Sequence, residues 1–136
     1  MRKITLLCLG VVLFCVFVSA SSFAGEVSRS RPAQERFCFD LTRTLPPEVV
    51  DEVDRLCREY LYRPFDIDCV VAIVPSPGGE SVEKYAVELF DDWRIGGKTH
   101  GARGILLLIA LAEQKAKIEI GYDLEHIYTD MYVAQV

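Results

Sequence analysis

The chain of 136 residues contains no asparagine, so it offers no acceptor for N-linked glycosylation. Histidine is scarce. His100 and His126 stand alone, without a second histidine or cysteine at ligand spacing, and this excludes a Cys/His zinc site. Basic charge is also short, with 15 Lys and Arg against 20 Asp and Glu and a net charge of −5. With no basic stripe along any segment, the chain is not a nucleic-acid binder. Tryptophan occurs once, at Trp93. There is no internal repeat and no low-complexity segment.

The N-terminus, by contrast, is strongly patterned. Arg2 and Lys3 precede an apolar run over residues 4–18 and then Ser-Ala-Ser-Ser-Phe-Ala. That order is the charged start, hydrophobic middle and small-residue exit of a secretory signal peptide, with cleavage after Ala20 or Ala24. The alternative is an uncleaved membrane anchor. Neither Cys8 nor Cys15 follows a small residue, which argues against lipidation. Cleavage at Ala24 leaves 112 residues, enough for one core, with a net charge of −7. Residues 25–36 read as a flexible lead-in, and residues 37–136 as the folded domain.

Residues 104–122 organise that domain. The apolar run 105–111 suits a strand covered on both faces, 112–114 a short polar turn, and 115–122 an alternating edge strand. Lys115, Lys117 and Glu119 on one side of that strand guard the edge. Earlier, residues 37–41 form a short strand. Pro47 opens a helix whose apolar face is Val49, Val50, Val53, Leu56, Cys57, Tyr60 and Leu61, and Pro64 ends it. Residues 67–75 are a β-branched strand. Ser81 caps a second helix carrying Val82, Tyr85, Ala86, Leu89, Phe90 and Trp93 as its buried stripe. A last helix begins near Tyr128. The order β-α-β-α-β-β-α predicts a three-layer α/β/α sandwich with a mostly parallel sheet and an antiparallel edge hairpin.

Three cysteines lie beyond the signal segment: Cys38, Cys57 and Cys69. Cys57, near the end of the first helix, and Cys69, near the start of the following strand, fall at similar heights. They read either as a disulfide pair or as small buried thiols.

Several spaced features coincide: Asp40 with Leu45-Pro46-Pro47-Glu48, Gly78-Gly79-Glu80-Ser81 running on to Ala86, Leu89 to Gly96, Gly104 to Leu108, Ile118 to Glu125, and Thr129-Asp130. Together this ordered set resembles the TPM domain family over roughly residues 37–136. The resemblance implies an α/β/α fold, export or membrane association with a membrane-protein partner, calcium binding, and weak acid phosphatase activity. The chain departs from the family at Asp123, where glycine is usual, and at Arg103, where asparagine is frequent. It also stops at Val136, where the domain normally continues, so a C-terminal truncation is expected.

Two sites follow. At the carboxyl ends of the parallel strands, Gly78, Gly79 and Ser81 lead into a helix N-terminus suited to an anion, or form only a turn and a cap. At the opposite edge, the loop over residues 93–104 approaches residues 121–130. There Asp123, Glu125 and Asp130 offer hard oxygens for Ca²⁺ or Mg²⁺, or form a solvated acidic loop. With the first strand parallel to the second, Asp40 sits near the Gly78–Ser81 turn at the first edge; otherwise it joins the three carboxylates as a metal ligand. Other hydrolytic chemistries fail on spacing. Asp66 and Asp68 fall at the start of their strand and not at its carboxyl end, Cys38 and Arg43 are one residue short of a cysteine-phosphatase loop, and no arginine directly precedes His100. Trp93 reads as a core anchor rather than a lid. The expected function is an exported cation-binding accessory or repair module with weak phosphatase activity. The alternative is a metal-free structural or protein-interaction subunit, in contact with membrane only through an uncleaved N-terminal segment.

Overall fold

A computed structural model describes residues 30–97 and 103–127. The expected signal segment, His100, Asp130 and the helix expected from Tyr128 lie outside the described residues. The elements are β1 (Cys38–Asp40), α1 (Pro47–Cys57), a π-helical turn (Arg58–Tyr62), α2 (Arg63–Phe65), β2 (Asp68–Val74), α3 (Val82–Asp92), β3 (Gly104–Ala110), β4 (Lys115–Ile120) and a 3₁₀ turn (Tyr122–Leu124). The four strands form one sheet in the order β1-β2-β3-β4. β1, β2 and β3 run parallel, and β4 closes the edge antiparallel to β3. This is the expected α/β architecture, with a mixed sheet and an edge hairpin.

The hairpin pairs Ile105 with Ile120 and Ala110 with Lys115, and Gln114 takes a left-handed φ of 53° in the turn. One face of the sheet is dry. Phe39, Val70, Ala72, Val74, Leu106, Leu108 and Ala110 meet Val82, Ala86, Leu89, Phe90 and Trp93 of α3 and its end. Each fully buried side chain of this size contributes about 1.5–3 kcal/mol of burial energy. Trp93 is 1 % exposed and lies edge-on to Phe39, with ring centroids 4.9 Å apart, so it is a core anchor. The Ser81 hydroxyl accepts from the Lys84 amide at 3.1 Å and caps α3. The other face of the sheet carries α1, packed on β1 and β2. There Ile105, Leu107, Ile109, Ile118 and Ile120 are only half-buried, so the central strand is fully covered on one side alone.

That one-sided cover overturns the expectation of a strand covered on both faces, and three further expectations change. α1 does not bury its whole apolar stripe: Val49, Leu56 and Tyr60 are exposed, and the residues facing the sheet most closely are Asp54 and Cys57. The reason is polar. Asp54 Oδ1 accepts from the Phe37 amide at 2.6 Å and from the Cys38 amide at 3.3 Å, while Oδ2 pairs with Arg58 at 2.7 Å. Amides at the start of an edge strand need an acceptor, and the helix turns a carboxylate towards them. Second, the helix runs past Pro64. The π turn shifts the ladder, with the Arg63 amide bonding to the Arg58 carbonyl, and Pro64 enters a fresh helical turn where a missing N–H costs little. Termination falls to Asp66, at a φ of 54°.

Third, the lead-in is not uniformly loose. Arg31 is buried, pairs with Asp68 Oδ2 at 2.8 Å and donates to the Arg36 carbonyl at 2.6 Å. Its guanidinium also lies over the Phe37 and Phe39 rings. Asp68 Oδ2 takes a further bond from the Gly96 amide at 3.0 Å. One carboxylate thus ties the lead-in, the first residue of β2 and the loop after α3.

Candidate functional site

The two edges of the sheet present different chemistry. At the edge where β1, β2 and β3 begin, the Gly121 amide donates to the Gly104 carbonyl at 2.8 Å. This bond brings the chain leaving β4 against the chain entering β3, as expected for the two loops. The 3₁₀ turn follows at once. Leu124 is 1 % exposed and anchors it, so the flanking Asp123 and Glu125 project from a fixed support. Arg103, Tyr122, Asp123, Glu125 and His126 line an open cleft of about 460 Å³. The Arg103 guanidinium also bonds the Phe65 carbonyl, which fixes its charge at the cleft wall.

Asp123 and Glu125, the carboxylates expected at this edge, both reach the cleft. Arg103, a departure from the family pattern, and His126, which lacks a zinc partner in sequence, join them. Both line the same cleft, which neighbouring positions in sequence could not reveal for Arg103. The two departures from the family pattern, Arg103 and Asp123, therefore share one wall. Asp130 lies outside the described residues. Among the described residues, no three His, Cys, Asp or Glu side chains converge on a metal-sized point.

Asp40 is at the other edge. β1 is parallel to β2, and Asp40 stands beside Ile73 near the carboxyl end of the sheet. Its carboxylate does not join Asp123 and Glu125. Oδ1 accepts from the Thr42 amide at 2.9 Å and the Thr42 hydroxyl at 2.6 Å, and Oδ2 accepts from the Leu45 amide at 2.7 Å. Burial alone would raise its pKa, but these donors outweigh it and hold the carboxyl below the usual range. Asp40 folds the turn into α1.

Gly78, Gly79 and Ser81 lie on the edge where β2 ends. Gly78 and Gly79 take φ of 72° and 97°, conformations that favour glycine, although a Cβ at either would meet no atom. The Gly78 amide donates to Ser76 Oγ at 3.2 Å, and Ser76 in turn donates to Glu113 at 2.6 Å. The Ser81 hydroxyl is occupied by the Lys84 amide. Glu80 at the same turn is paired with Lys84 at 2.6 Å. The hydrogen bonds of Gly78 and Ser81 are those of a turn and a cap.

The thiols sit together between α1 and the sheet. Cys38 and Cys57 are buried, Cys69 is half-buried, and all three are free. Burial pushes the Cys38 thiol up to about 11, with Cys57 and Asp54 adding to it. Such a thiol is inert as a nucleophile at neutral pH.

Comparison with known proteins agrees with the fold. No curated protein matches this chain. Among solved structures, the solution structure of the N-terminal domain of a protein from P. gingivalis is similar, at 22% identity with a TM-score of 0.64. The match covers 75% of this chain and 64% of that one, so the chain spans somewhat less than two thirds of its relative's length. The family model for the TPM domain matches residues 38–136, nearly all of the sequence beyond the lead-in, and the chain belongs to the TPM domain family.

Proposed function

We propose that this TPM domain binds a divalent cation at the cleft formed by Asp123 and Glu125, and works as an exported, membrane-side accessory module. The observation that carries the reading is the anchored 3₁₀ turn, which sets two hard carboxylates on one open wall around buried Leu124. The donor set fits such a cation as a water-rich site. Two carboxylates supply part of the shell, and the open cleft leaves room for water ligands. Arg103 opposes the charge, so binding is weak, on the order of 10⁻⁴–10⁻³ M for Ca²⁺.

A bound cation would supply Lewis-acid polarisation of phosphoryl oxygens. Arg103, beside the carboxylates, would orient an anionic group through charge-assisted bonds. Weak phosphatase activity is the finer part of the proposal. The interaction-subunit reading draws on a separate observation: Phe65, Tyr122 and Ile127 are 59%, 77% and 60% exposed.

Calorimetric titration of CaCl₂ into the full chain, followed by an aryl-phosphate assay on the same sample, separates these readings. Heat that saturates below about 10 mM and is lost in Asp123→Asn supports cation binding. Metal-dependent phosphate release adds the enzyme reading. Absence of both overturns the proposal and favours the interaction subunit.

A further inference from the structure

The π turn interrupts α1 directly after Cys57, and the residues beneath that point define a chemistry of their own. Asp54 and Cys57 are three residues apart in α1 and share a helix face. That face is pinned to the sheet, because Asp54 accepts from the Phe37 and Cys38 amides. In the sheet, Cys38 pairs with Val71, and Cys69 lies two residues earlier on β2. With a side-chain period of two, Cys38, Cys69 and Val71 point to the α1 side. The opposite parity, Val70, Ala72 and Val74, fills the α3 side. Cys57, on the sheet-facing side of α1, and Cys69, on the α1 side of β2, are therefore neighbours, and hydrogen bonding between the two thiols is the largest influence on the titration of each.

We propose that Cys57 and Cys69 are a disulfide-forming pair that locks the end of α1 onto β2, closed by exchange with a low-molecular-weight disulfide. The reaction balances in two steps. The Cys57 thiolate attacks the disulfide RSSR, forming a mixed disulfide and releasing one RS⁻, which takes up the proton Cys57 gave. The Cys69 sulfur then attacks Cys57, forming the protein S–S bond and expelling a second thiol with the Cys69 proton. Both protein thiols are oxidised and RSSR is reduced to two RSH.

The environment supports this order. The hydrogen bond donated by Cys69 lowers the Cys57 pKa, and it raises that of Cys69 together with burial. Cys57 therefore ionises first and Cys69 keeps its proton until the second step. Cys38 is the bystander, its Sγ burdened by burial and by the neighbouring negative charge of Asp54. The proposal is independent of the cation reading, since the thiols lie between α1 and the sheet and line no part of the cleft.

The test incubates the full chain under native conditions with oxidised glutathione, alkylates the remaining thiols and maps tryptic peptides. Arg58 is a cleavage site between the two cysteines, while Pro64 protects Arg63. The expected product is Leu56-Cys57-Arg58 linked to the peptide of residues 59–84, with the Cys38 peptide alkylated. The link closes a loop of about a dozen residues, so the oxidised chain melts on the order of 10 °C above the reduced one. A Cys38→Ala chain gives the same linked pair. Full alkylation of Cys57 and Cys69, a link through Cys38, a disulfide-linked dimer, or identical melting of the two forms would each overturn the proposal.

Discussion

Replacing Gly104 by alanine probes the joint on which both the core and the cleft depend. A Cβ there would lie 2.7 Å from the Ile95 carbonyl oxygen, 2.8 Å from the Ile95 carbonyl carbon and 2.8 Å from Phe90 Cζ. The phenyl ring has little room, since Phe90 is buried in the main core. The Ile95 backbone is held by its own amide bond to the Phe90 carbonyl at 3.1 Å, and the next residue donates to Asp68. Relief therefore displaces the loop after α3. Overpacking of this kind costs about 1–3 kcal/mol. Loss of the Gly96–Asp68 bond adds about 1.5–3 kcal/mol, because its acceptor is charged. The lower backbone entropy of alanine in the unfolded chain returns about 0.4–1 kcal/mol. The net expectation is a loss of about 1.5–5.5 kcal/mol. Urea unfolding followed by the fluorescence of Trp93 reports it, as the single tryptophan sits in the same core. The Gly104 carbonyl also receives the Gly121 amide, so Ca²⁺ affinity should fall in the same variant. A stability loss under about 0.5 kcal/mol would refute the close-packing argument.

Other outcomes follow from the buried charges. Arg31→Ala leaves Asp68 with only the Gly96 amide, and is expected to cost about 3–5 kcal/mol in urea unfolding, whereas a loss near zero would show the lead-in to be dispensable. Asp40→Ala is expected to cost about 1–2 kcal/mol at pH 7, allowing for partial exposure of the carboxylate. The folded-state pKa of Asp40 is depressed, so its contribution is full above about pH 4 and fades as pH falls through the folded value. The gap between wild type and variant in acid unfolding should therefore narrow below that pH. Asp123→Asn is expected to weaken Ca²⁺ binding at least tenfold by calorimetry, with unchanged urea unfolding because the side chain lies on the open cleft. An equal affinity would remove Asp123 from the site.

Much of this protein follows from local pattern alone. The apolar run to Leu111, the polar turn and the alternation from Lys115 to Tyr122 point to a hairpin, whose strands end at Ala110 and Ile120 in the structure. Ser81 before an apolar stripe forces a capped helix. The order of elements leaves few topologies for the sheet. Asp123 and Glu125 were legible because their turn follows β4 directly. Other features depend on chain segments far apart in sequence, and no local period records them. Arg31 finds Asp68 across 37 positions, and Asp54 finds the Phe37 amide across 17. A charge on a helix face reads as solvent-facing until an edge strand needs its oxygen. Asp40 illustrates the same limit. Its residue type suits a cation, but the parallel pairing of β1 carries it to the far edge, where three donors claim its oxygens. Composition and period determined which segments become strands and helices. Strand direction and the demand of buried amides for acceptors decided which carboxylates were left free to act.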